Sequence, residues 1–282
     1  MISVFQLGTI DYATGLRLQE KLVALRKEGR VTDVLLLLEH TPVITLGRNA
    51  KSKNIVASPE LLAQRGVEVF ECDRGGDVTF HGPGQLVAYP IFDLRGFPSE
   101  TGTRKTLGAI EYVRRLEEAL IRTCADFGIS AQRIAGLRGV WTKLEIGNAH
   151  VATGAHARTV ERRSTITESN EAKIAALGVH ISRAVTSHGV ALNVNNDLSF
   201  FDLIVPCGIV SKPVTSMARE LGRKIPMEDV AHSLARHFGS VFNSQILWLE
   251  SLDDLSGNSL GTPAKVPDEF RKIHGKDDPA WA

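Results

Sequence analysis

Cysteine is scarce in this sequence, and its arrangement excludes the structures that need several cysteines together. The 282 residues contain three cysteines, Cys72, Cys124 and Cys207, and no CxxC pair. An odd number of widely spaced cysteines argues against a disulfide framework and against a zinc knuckle. We therefore predict no bound metal, and we predict a reducing compartment, the cytoplasm.

Long apolar runs and an excess of one charge are also missing. The conspicuous apolar block, VLLLL at residues 34–38, is far too short to span a bilayer. The first residues, MISVFQLGTIDYATG, lack the basic and apolar regions of a secretory signal. A formal net charge of +1 gives no global field for nucleic acid or an anionic membrane. We predict neither as a partner, and a charged partner would have to meet a local patch.

The apolar residues that are present recur with the spacing of both helices and strands. Residues 12–29 have the period of an amphipathic helix that ends at Gly29. Strands dominate the middle of the chain without strict strand–helix alternation, so the predicted fold class is α+β, with a central mixed or antiparallel sheet and flanking helices. Strands are predicted at 2–7, 31–40, 43–46 and 86–94, strand-like residues at 68–80 and 173–194, and further helices at 106–127 and 229–242.

The helix predicted over residues 106–127 has an apolar face that includes a cysteine. A thiol on such a face usually packs as a small apolar group, so Cys124 is predicted to lie in the core. Gly128 follows the helix as a suitable C-cap. The predicted apolar face consists of Ile110, Val113, Leu116, Leu120, Ile121 and Cys124.

A glycine-rich stretch, RGGDVTFHGPGQ at residues 74–85, surrounds a short strand-like piece. Glycine permits positive φ and a close approach of the backbone to a ligand, and its N–H groups can hold an acyl or phosphate oxygen. Two tight turns around a short strand would explain the glycines equally well. The stretch is neither a P-loop nor a dinucleotide-binding GxGxxG motif. Arg74 and His81 at its two ends favour a binding role.

Cys207 lies where an apolar run ends, in FDLIVPCGIV at residues 201–210, between a proline and a glycine. Only a few per cent of a free thiol is ionised near neutral pH, so a nucleophilic cysteine needs a neighbouring cation or base. Lys173, which begins a strand-like run, is one candidate, and His188 before Gly189 is another. A Cys–His–Asp hydrolase also remains open from residue types alone.

Several motifs together resemble the lipoyl(octanoyl) transferase family, the octanoyl-[acyl carrier protein]:protein N-octanoyltransferases. The resemblance covers roughly residues 1–225, and its two most specific blocks are RGGxVTxHGPGQ and DxIxPCGI. The matching segments are LEHTPVITLGR (38–48), RGGDVTFHGPGQLVAYPI (74–91), GLRGVW (136–141), KIAALGV (173–179), HGVALNV (188–194) and FDLIVPCGI (201–209).

The resemblance implies a fold related to the catalytic domains of biotin and lipoate ligases, and it implies roles for particular residues. Cys207 matches the nucleophile that takes octanoyl from the phosphopantetheine thioester of the acyl carrier protein. Lys173 matches the lysine that lowers the pKa of that thiol and moves protons. The implied acyl-lining residues are Arg74, Gly75, Gly76, Asp77, Val78, Thr79, Phe80, His81, Ala176, Leu177, Gly178, Gly189, Val190 and Ala191.

The reaction implied by the resemblance is the first step of endogenous protein lipoylation. The donor would be octanoyl-acyl carrier protein, and the acceptors would be lysines of lipoyl domains in 2-oxoacid dehydrogenase complexes and of the glycine cleavage H protein. Exchange between thioesters is nearly balanced in free energy, so no ATP and no other cofactor is predicted. The backbone N–H groups near Gly208 are expected to hold the tetrahedral oxyanion.

The chain departs from the family pattern in one long segment. The family lysine normally follows the GVW block after a few residues, whereas 31 residues, Thr142 to Ala172, precede Lys173 here. We predict a hairpin or flap beside the mouth of the active site. Its arginines at 158, 162 and 163 would suit an acidic carrier protein or would simply form a solvated face. The predicted catalytic domain is 1–249, with this insertion at 142–172, and 250–282 is a C-terminal extension on the surface.

Two other functions use the same features differently. A lipoate or biotin ligase on the same fold would activate a free acid with ATP and would not need Cys207. A non-catalytic binder of acyl carrier protein or lipoyl domains would form no covalent intermediate. A test for an octanoyl adduct on Cys207 separates the transferase from both. Activity with free octanoate and ATP that survives Cys207→Ala would support a ligase.

Overall fold

The described part of the chain is organised by two β-sheets. The computed structural model describes residues 1–100, 105–143, 171–205, 212–251 and 255, without the side chains of Ser52 and Lys143. Cys207 and most of the predicted insertion and C-terminal extension therefore lie outside the described residues. The strands are β1 (Ile2–Ile10), β2 (Asp33–His40), β3 (Val43–Leu46), β4 (Glu68–Glu71), β5 (Val78–His81), β6 (Gln85–Ile91), β7 (Ala131–Ile134), β8 (Leu137–Lys143), β9 (Glu171–Ser182), β10 (Val185–Asn193) and β11 (Ile246–Trp248).

Helices flank the larger sheet. The α-helices are α1 (Tyr12–Lys27), α2 (Pro59–Gln64), α3 (Ala109–Asp126), α4 (Met217–Leu221) and α5 (Met227–Val241), with short 3-10 turns at Ser52–Asn54, Leu94–Gly96 and Leu198–Leu203. None of the described helices is long and apolar enough to cross a membrane. The predicted α+β class is confirmed.

The larger sheet is mixed, as predicted. Its strand order over the described residues is β11-β1-β2-β6-β10-β9-β8-β7. β1 pairs in parallel with β11 and β2, and the remaining neighbours are antiparallel. One face of this sheet packs on α3 and α5, and the other packs on α1. β2 and β6 are central and buried, so their sequences are apolar runs without alternation.

A smaller sheet of order β4-β3-β5 stands beside the first. Val78 and Phe80 of β5 point into a third apolar cluster, with Ile44 of β3 and Phe201 from the 3-10 turn before the Cys207 segment. Thr79 and His81 alternate with them and therefore face the other side of the small sheet. The small sheet thus turns one polar face towards the large sheet, and this face becomes a wall of the candidate site.

Most of the predicted elements are found within a few residues. Glycine at position 29 adopts φ +73° directly after the cap of α1, as a helix end requires. Cys124 is fully buried, as predicted, and burial raises the pKa of its thiol to about 12. β6 ends at Ile91 rather than at residue 94, because Asp93 caps a 3-10 turn by accepting a hydrogen bond from the Arg95 N–H.

Ile110 does not belong to the buried face of α3, so that prediction is wrong. The side chain is 75% exposed, whereas Leu116, Leu120 and Cys124 are completely buried. The helical period places Ile110 on the apolar face of α3, but among the described residues no buried ones lie opposite this face in the first turn.

The described ends of the predicted insertion belong to strands. Thr142 pairs with Ala172, and Lys143 with Glu171, in the antiparallel β8–β9 ladder. The predicted hairpin or flap itself lies outside the described residues. In the predicted C-terminal extension, Leu255 is buried against the cluster under α1 rather than lying on the surface.

Candidate active site

A pocket opens where the polar face of the small sheet meets strands β6, β9 and β10 of the large sheet. It encloses about 470 Å³, including the part open to solvent. All three of the predicted acyl-lining stretches reach it. The predicted residues that line it are Arg74, Gly76, Asp77, Thr79, His81, Ala176, Leu177, Gly178, Gly189, Val190 and Ala191.

The other three predicted lining residues lie around the pocket rather than in its wall. Val78 and Phe80 pack into the third apolar cluster on the far side of β5. Gly75 lines a neighbouring groove, and its N–H donates to the carbonyl oxygen of Val179 at 3.0 Å. The glycine-rich motif is contiguous in sequence, but side chains alternate between the two faces of β5. Only those on one face therefore line the pocket.

Arg74 holds the small sheet and the glycine-rich loop together. Its guanidinium donates to the hydroxyl and carbonyl oxygens of Thr45, at 2.9 and 2.6 Å from Nη2, and to the carbonyl oxygens of Gly75 and Asp77, at 3.1 and 2.7 Å. The residue is 7% exposed. Because a guanidinium stays charged and presents a rigid fork of donors, it can fix several loop carbonyls at once.

His81 is held in one tautomer by a chain of amides. The Gln85 side-chain N–H₂ donates to the Phe80 carbonyl at 3.2 Å and to Asn193 Oδ1 at 2.9 Å. Gln85 Oε1 therefore accepts from His81 Nδ1 at 2.7 Å, which leaves the lone pair on His81 Nε2. Burial, with the charge of His40 as a smaller cause, lowers the pKa of His81 to about 3, so the ring is neutral at physiological pH.

A second buried histidine supports the pocket from behind. His40 Nδ1 donates to the Ile10 carbonyl at 3.0 Å, and the Tyr89 hydroxyl donates to His40 Nε2 at 2.7 Å. Burial lowers the pKa of His40 to about 4 and raises the pKa of Tyr89. Tyr12, from the start of α1, stacks parallel to His81 with 6.4 Å between ring centroids. These rings give the pocket an uncharged inner wall, which suits a neutral acyl chain.

His188 and Asp73 form a pair at the side of the pocket. His188 Nε2 lies 2.7 Å from Asp73 Oδ1, and the backbone N–H of His188 donates to Gln19 Oε1 at 2.7 Å. Its φ of +55° is unusual for a non-glycine residue, and its side chain lines the pocket. Burial lowers the pKa of His188, and the bond to Asp73 opposes this shift. The structure therefore pairs His188 with an acid.

Glycine at position 189 is required by strand packing. A Cβ there would lie 2.1 Å from the carbonyl oxygen of Ala88 on β6. At position 76 the reason is different, because φ is +98° in the loop that Arg74 holds. The sequence left two explanations for the glycines, a close approach of another group and a tight turn. The first applies at position 189 and the second at position 76.

Lys173 lies near the start of β9, on the face of an indole. It is 8% exposed, and its Nζ is 4.8 Å from the centroid of the Trp141 ring. Gly139 makes room for this side chain, since a Cβ at position 139 would lie 3.2 Å from Lys173 Cε. The ammonium group of Lys212 lies 5.6 Å from the same ring and pairs with Glu171.

Both described ends of the segment that contains Cys207 are tied to the site. Before it, the Val205 N–H donates to the Asn54 carbonyl at 2.7 Å, and Asn54 Nδ2 donates to Asp77 Oδ2 at 2.6 Å. After it, the backbone of Lys173 accepts from the Thr215 N–H and donates to the Pro213 carbonyl, each at 2.9 Å.

The amide chain behind His81 also reaches the residues that follow the Cys207 segment. Asn193 Nδ2 donates to the Thr215 carbonyl at 2.9 Å. The backbone of Thr215 is thereby held from two sides, by Asn193 and by Lys173. The pocket wall and the strand of Lys173 are therefore parts of one hydrogen-bonded unit.

Some pocket residues were not predicted as substrate contacts. Tyr12, Val87 and Tyr89 line the pocket, and His188 does so as the partner of Asp73. Alternation could not single out Val87 or Tyr89, because every residue of β6 is buried. No cluster of His, Cys, Asp and Glu suited to a metal ion occurs within the described ranges.

Comparison with known proteins places this geometry in a family. Residues 11–239 match the model of the lipoyl protein ligase A/B catalytic domain. A protein of Koribacter versatilis named octanoyltransferase is 56% identical over 277 residues, 98% of each chain. An octanoyltransferase of Solibacter usitatus is 48% identical over 242 residues, 86% of this chain and 93% of its own.

Solved structures similar to this one share its fold at low sequence identity. A bipartite lipoate protein ligase from Thermoplasma acidophilum superposes with a TM-score of 0.61, at 12% identity, over 96% of this chain and 89% of its own. A lipoate-protein ligase A bound with ATP gives a TM-score of 0.59, at 12% identity, over 96% and 91%. The predicted relation to lipoate ligase folds is confirmed.

Proposed function

The chain belongs to the family of lipoyl protein ligase A/B catalytic domains, and we propose that it transfers octanoyl from an acyl carrier protein to lipoyl-domain lysines through a thioester on Cys207. The coarser activity follows directly from its relatives. The chain is an acyltransferase, and it acts as an octanoyltransferase in protein lipoylation.

In the first half-reaction, the Cys207 thiolate attacks the carbonyl carbon of the donor thioester. The tetrahedral intermediate collapses, the bond to the donor sulfur breaks, and the leaving pantetheine thiolate takes a proton from the Lys173 ammonium, which becomes a neutral amine. Octanoyl then occupies Cys207 as a thioester. Backbone N–H groups near Gly208 hold the oxyanion during this exchange.

In the second half-reaction, the amine of the acceptor lysine attacks the Cys207 thioester. A C–N bond forms, the C–S bond breaks, and the proton of the amine passes to Lys173. As an ammonium, Lys173 favours the thiolate electrostatically, and as a neutral amine it serves as the base. One residue with two protonation states thus serves both steps.

The observation that carries the proposal is the anchoring of the Cys207 segment. The described residue two positions before Cys207 is bound to Asn54, which is bound to Asp77 in the pocket wall. The described residues after the segment pair with the backbone of Lys173 itself. Connectivity therefore supports a cysteine between the acyl pocket and the lysine.

The lining of the pocket supports an acyl group as its occupant. His81 is neutral because burial lowers its pKa to about 3, and Val87, Leu177, Val190 and Ala191 supply apolar surface. Each methylene removed from water contributes about 0.8 kcal/mol, so a pocket of fixed depth can select chain length.

The test is an intact mass of the purified protein after incubation with octanoyl-acyl carrier protein. We expect one octanoyl adduct that hydroxylamine removes, and we expect Cys207→Ala to form none. Cys124→Ala is the matched control and should keep the adduct. Transfer from free octanoate and ATP that survives Cys207→Ala would show a ligase instead, and carrier binding without any adduct would show a binder.

A further inference from the structure

A second concave surface lies against the acyl pocket and differs from it in charge. It is an open groove of about 1610 Å³ between the first turns of α3, the β7–β8 hairpin and the end of β9. We call it the arginine groove. Its described lining includes four arginines, Arg48, Arg114, Arg133 and Arg138, and one carboxylate, Glu117.

Three of these arginines are available to a partner. Arg133 is neutralised, because it pairs with Glu117 at 3.1 Å and Glu118 at 2.8 Å. Arg48 lies 2.8 Å from a nitrogen of the His180 ring, while Arg114 and Arg138 are exposed. Within the described residues, none of these three makes an ion pair with a carboxylate. Asp73 offsets part of the charge at Arg48, because Asp73 Oδ2 lies 2.9 Å from the same His180 nitrogen. Arg114 and Arg138 leave the groove with a net positive charge, on a chain whose net charge is only +1.

Apolar side chains lie among the arginines. Ile110, in the first turn of α3, is 75% exposed and lines the groove together with Val113, Ile134 and Leu137. Exposed large aliphatic groups beside cations are typical of a surface that binds an acidic partner with an apolar contact at its centre.

The groove and the acyl pocket share one wall. Gly75 and Val179 line the groove, and their neighbours Gly76 and Gly178 line the pocket. The two stretches touch so closely that a Cβ at position 178 would lie 2.8 Å from the Gly75 carbonyl oxygen. A partner bound in the groove would thus lie beside the acyl pocket.

We propose that the arginine groove docks the acidic carrier protein that delivers the acyl group, an inference that rests on the proposed function. The donor presents its acyl chain on an arm that ends in a phosphodiester, so both the carrier surface and the arm are anionic. The acceptor presents a lysine ammonium, which the uncompensated arginines repel. Charge complementarity therefore favours the donor over the acceptor.

The test compares two donors in a charge-reversed variant. Arg114→Glu with Arg138→Glu changes the groove by four charges and alters no ion pair of the described structure. Octanoyl-acyl carrier protein and octanoyl-pantetheine serve as donors with the same lipoyl domain as acceptor. We expect the KM for the carrier donor to rise at least tenfold, and the kinetics with octanoyl-pantetheine to stay within twofold.

A matched control carries the same charge change elsewhere. Arg223 and Lys224 are exposed residues between α4 and α5 and do not line the groove. Arg223→Glu with Lys224→Glu should leave the KM for the carrier within twofold, which separates local docking from an effect of net charge.

Each contrary result has a distinct meaning. An unchanged carrier KM in the groove variant overturns the docking inference, as does an equal loss with both donors. A rise confined to the acceptor KM would assign the groove to the lipoyl domain, and a change of molar mass in light scattering would assign it to a second copy. If the unaltered protein accepts octanoyl from neither donor, the proposed function fails first.

Discussion

Arg74 and Lys173 are both buried cations of the candidate active site, but their surroundings differ in kind. Arg74 donates to fixed oxygens of Thr45, Gly75 and Asp77. Lys173 lies with its Nζ 4.8 Å from the centre of an aromatic ring. A guanidinium keeps its proton and suits a permanent clamp, whereas an amine can change its charge. The proposed function therefore assigns Arg74 to the architecture of the site and Lys173 to its chemistry.

The largest effect that tests this comparison is the loss of activity expected when Lys173 is replaced. Lys173→Met keeps an unbranched chain against Trp141 but removes the ionisable group. We expect kcat/KM for octanoyl transfer to fall about 10²- to 10⁴-fold, the usual contribution of general acid–base catalysis. Alkylation of Cys207 near neutral pH should also slow markedly. Steady-state kinetics and iodoacetamide labelling over a pH series measure the two effects.

Two further variants make the result for Lys173 specific. Lys173→Arg keeps a cation that cannot act as a base, so an octanoyl adduct should form and then accumulate. Lys224→Met, on the surface, should keep normal activity. An unchanged pH profile of alkylation in Lys173→Met would show that Lys173 does not activate the thiol.

A smaller effect, on stability, is expected at the other cation. Arg74→Lys keeps the charge but replaces a fork of donors by a single ammonium, so part of the clamp on Thr45 and Asp77 is lost. Hydrogen bonds of charged groups contribute about 1.5–3 kcal/mol each, and we expect the free energy of unfolding to fall by that amount. Urea unfolding measures it. Arg138→Lys, on the surface, should stay within about 0.5 kcal/mol, and equal losses in both variants would refute the clamp.

The sequence predicts the walls of the site better than its interior. The glycine-rich stretch, residues 176–178 of β9 and residues 189–191 of β10 could be predicted as pocket residues because their motifs are contiguous. Tyr12 and Tyr89 were missed, since their meeting at His40 and His81 depends on strand order, which local patterns do not contain. Ile110 was misassigned for a related reason. The helical period places it on the apolar face, but only the packing of α3 decides whether a core lies opposite.

The smallest effect concerns the histidine that the amide chain holds neutral. Burial lowers the pKa of His81 from its ordinary value of 6.5 to about 3. As the pH falls below about 6.5, the unfolded chain therefore binds a proton that the folded protein does not bind. The contribution of His81 to the free energy of unfolding is therefore fully present above about pH 6.5. It is lost as the pH falls towards 3, by up to about 1.4 kcal/mol per pH unit for one such group.

We therefore expect His81→Gln to make the free energy of unfolding depend less steeply on pH below neutrality. The free energy of unfolding, measured in urea between pH 6 and pH 4.5, should fall less steeply than in the unaltered protein, by about 1 kcal/mol per pH unit. The slope is diagnostic because a mere loss of packing would lower the curve without changing its steepness. His232→Gln, at an exposed ring, should leave the slope unchanged. Parallel curves for His81→Gln and the unaltered protein would mean that His81 titrates alike in both states, and that the uncharged wall of the acyl pocket has another origin.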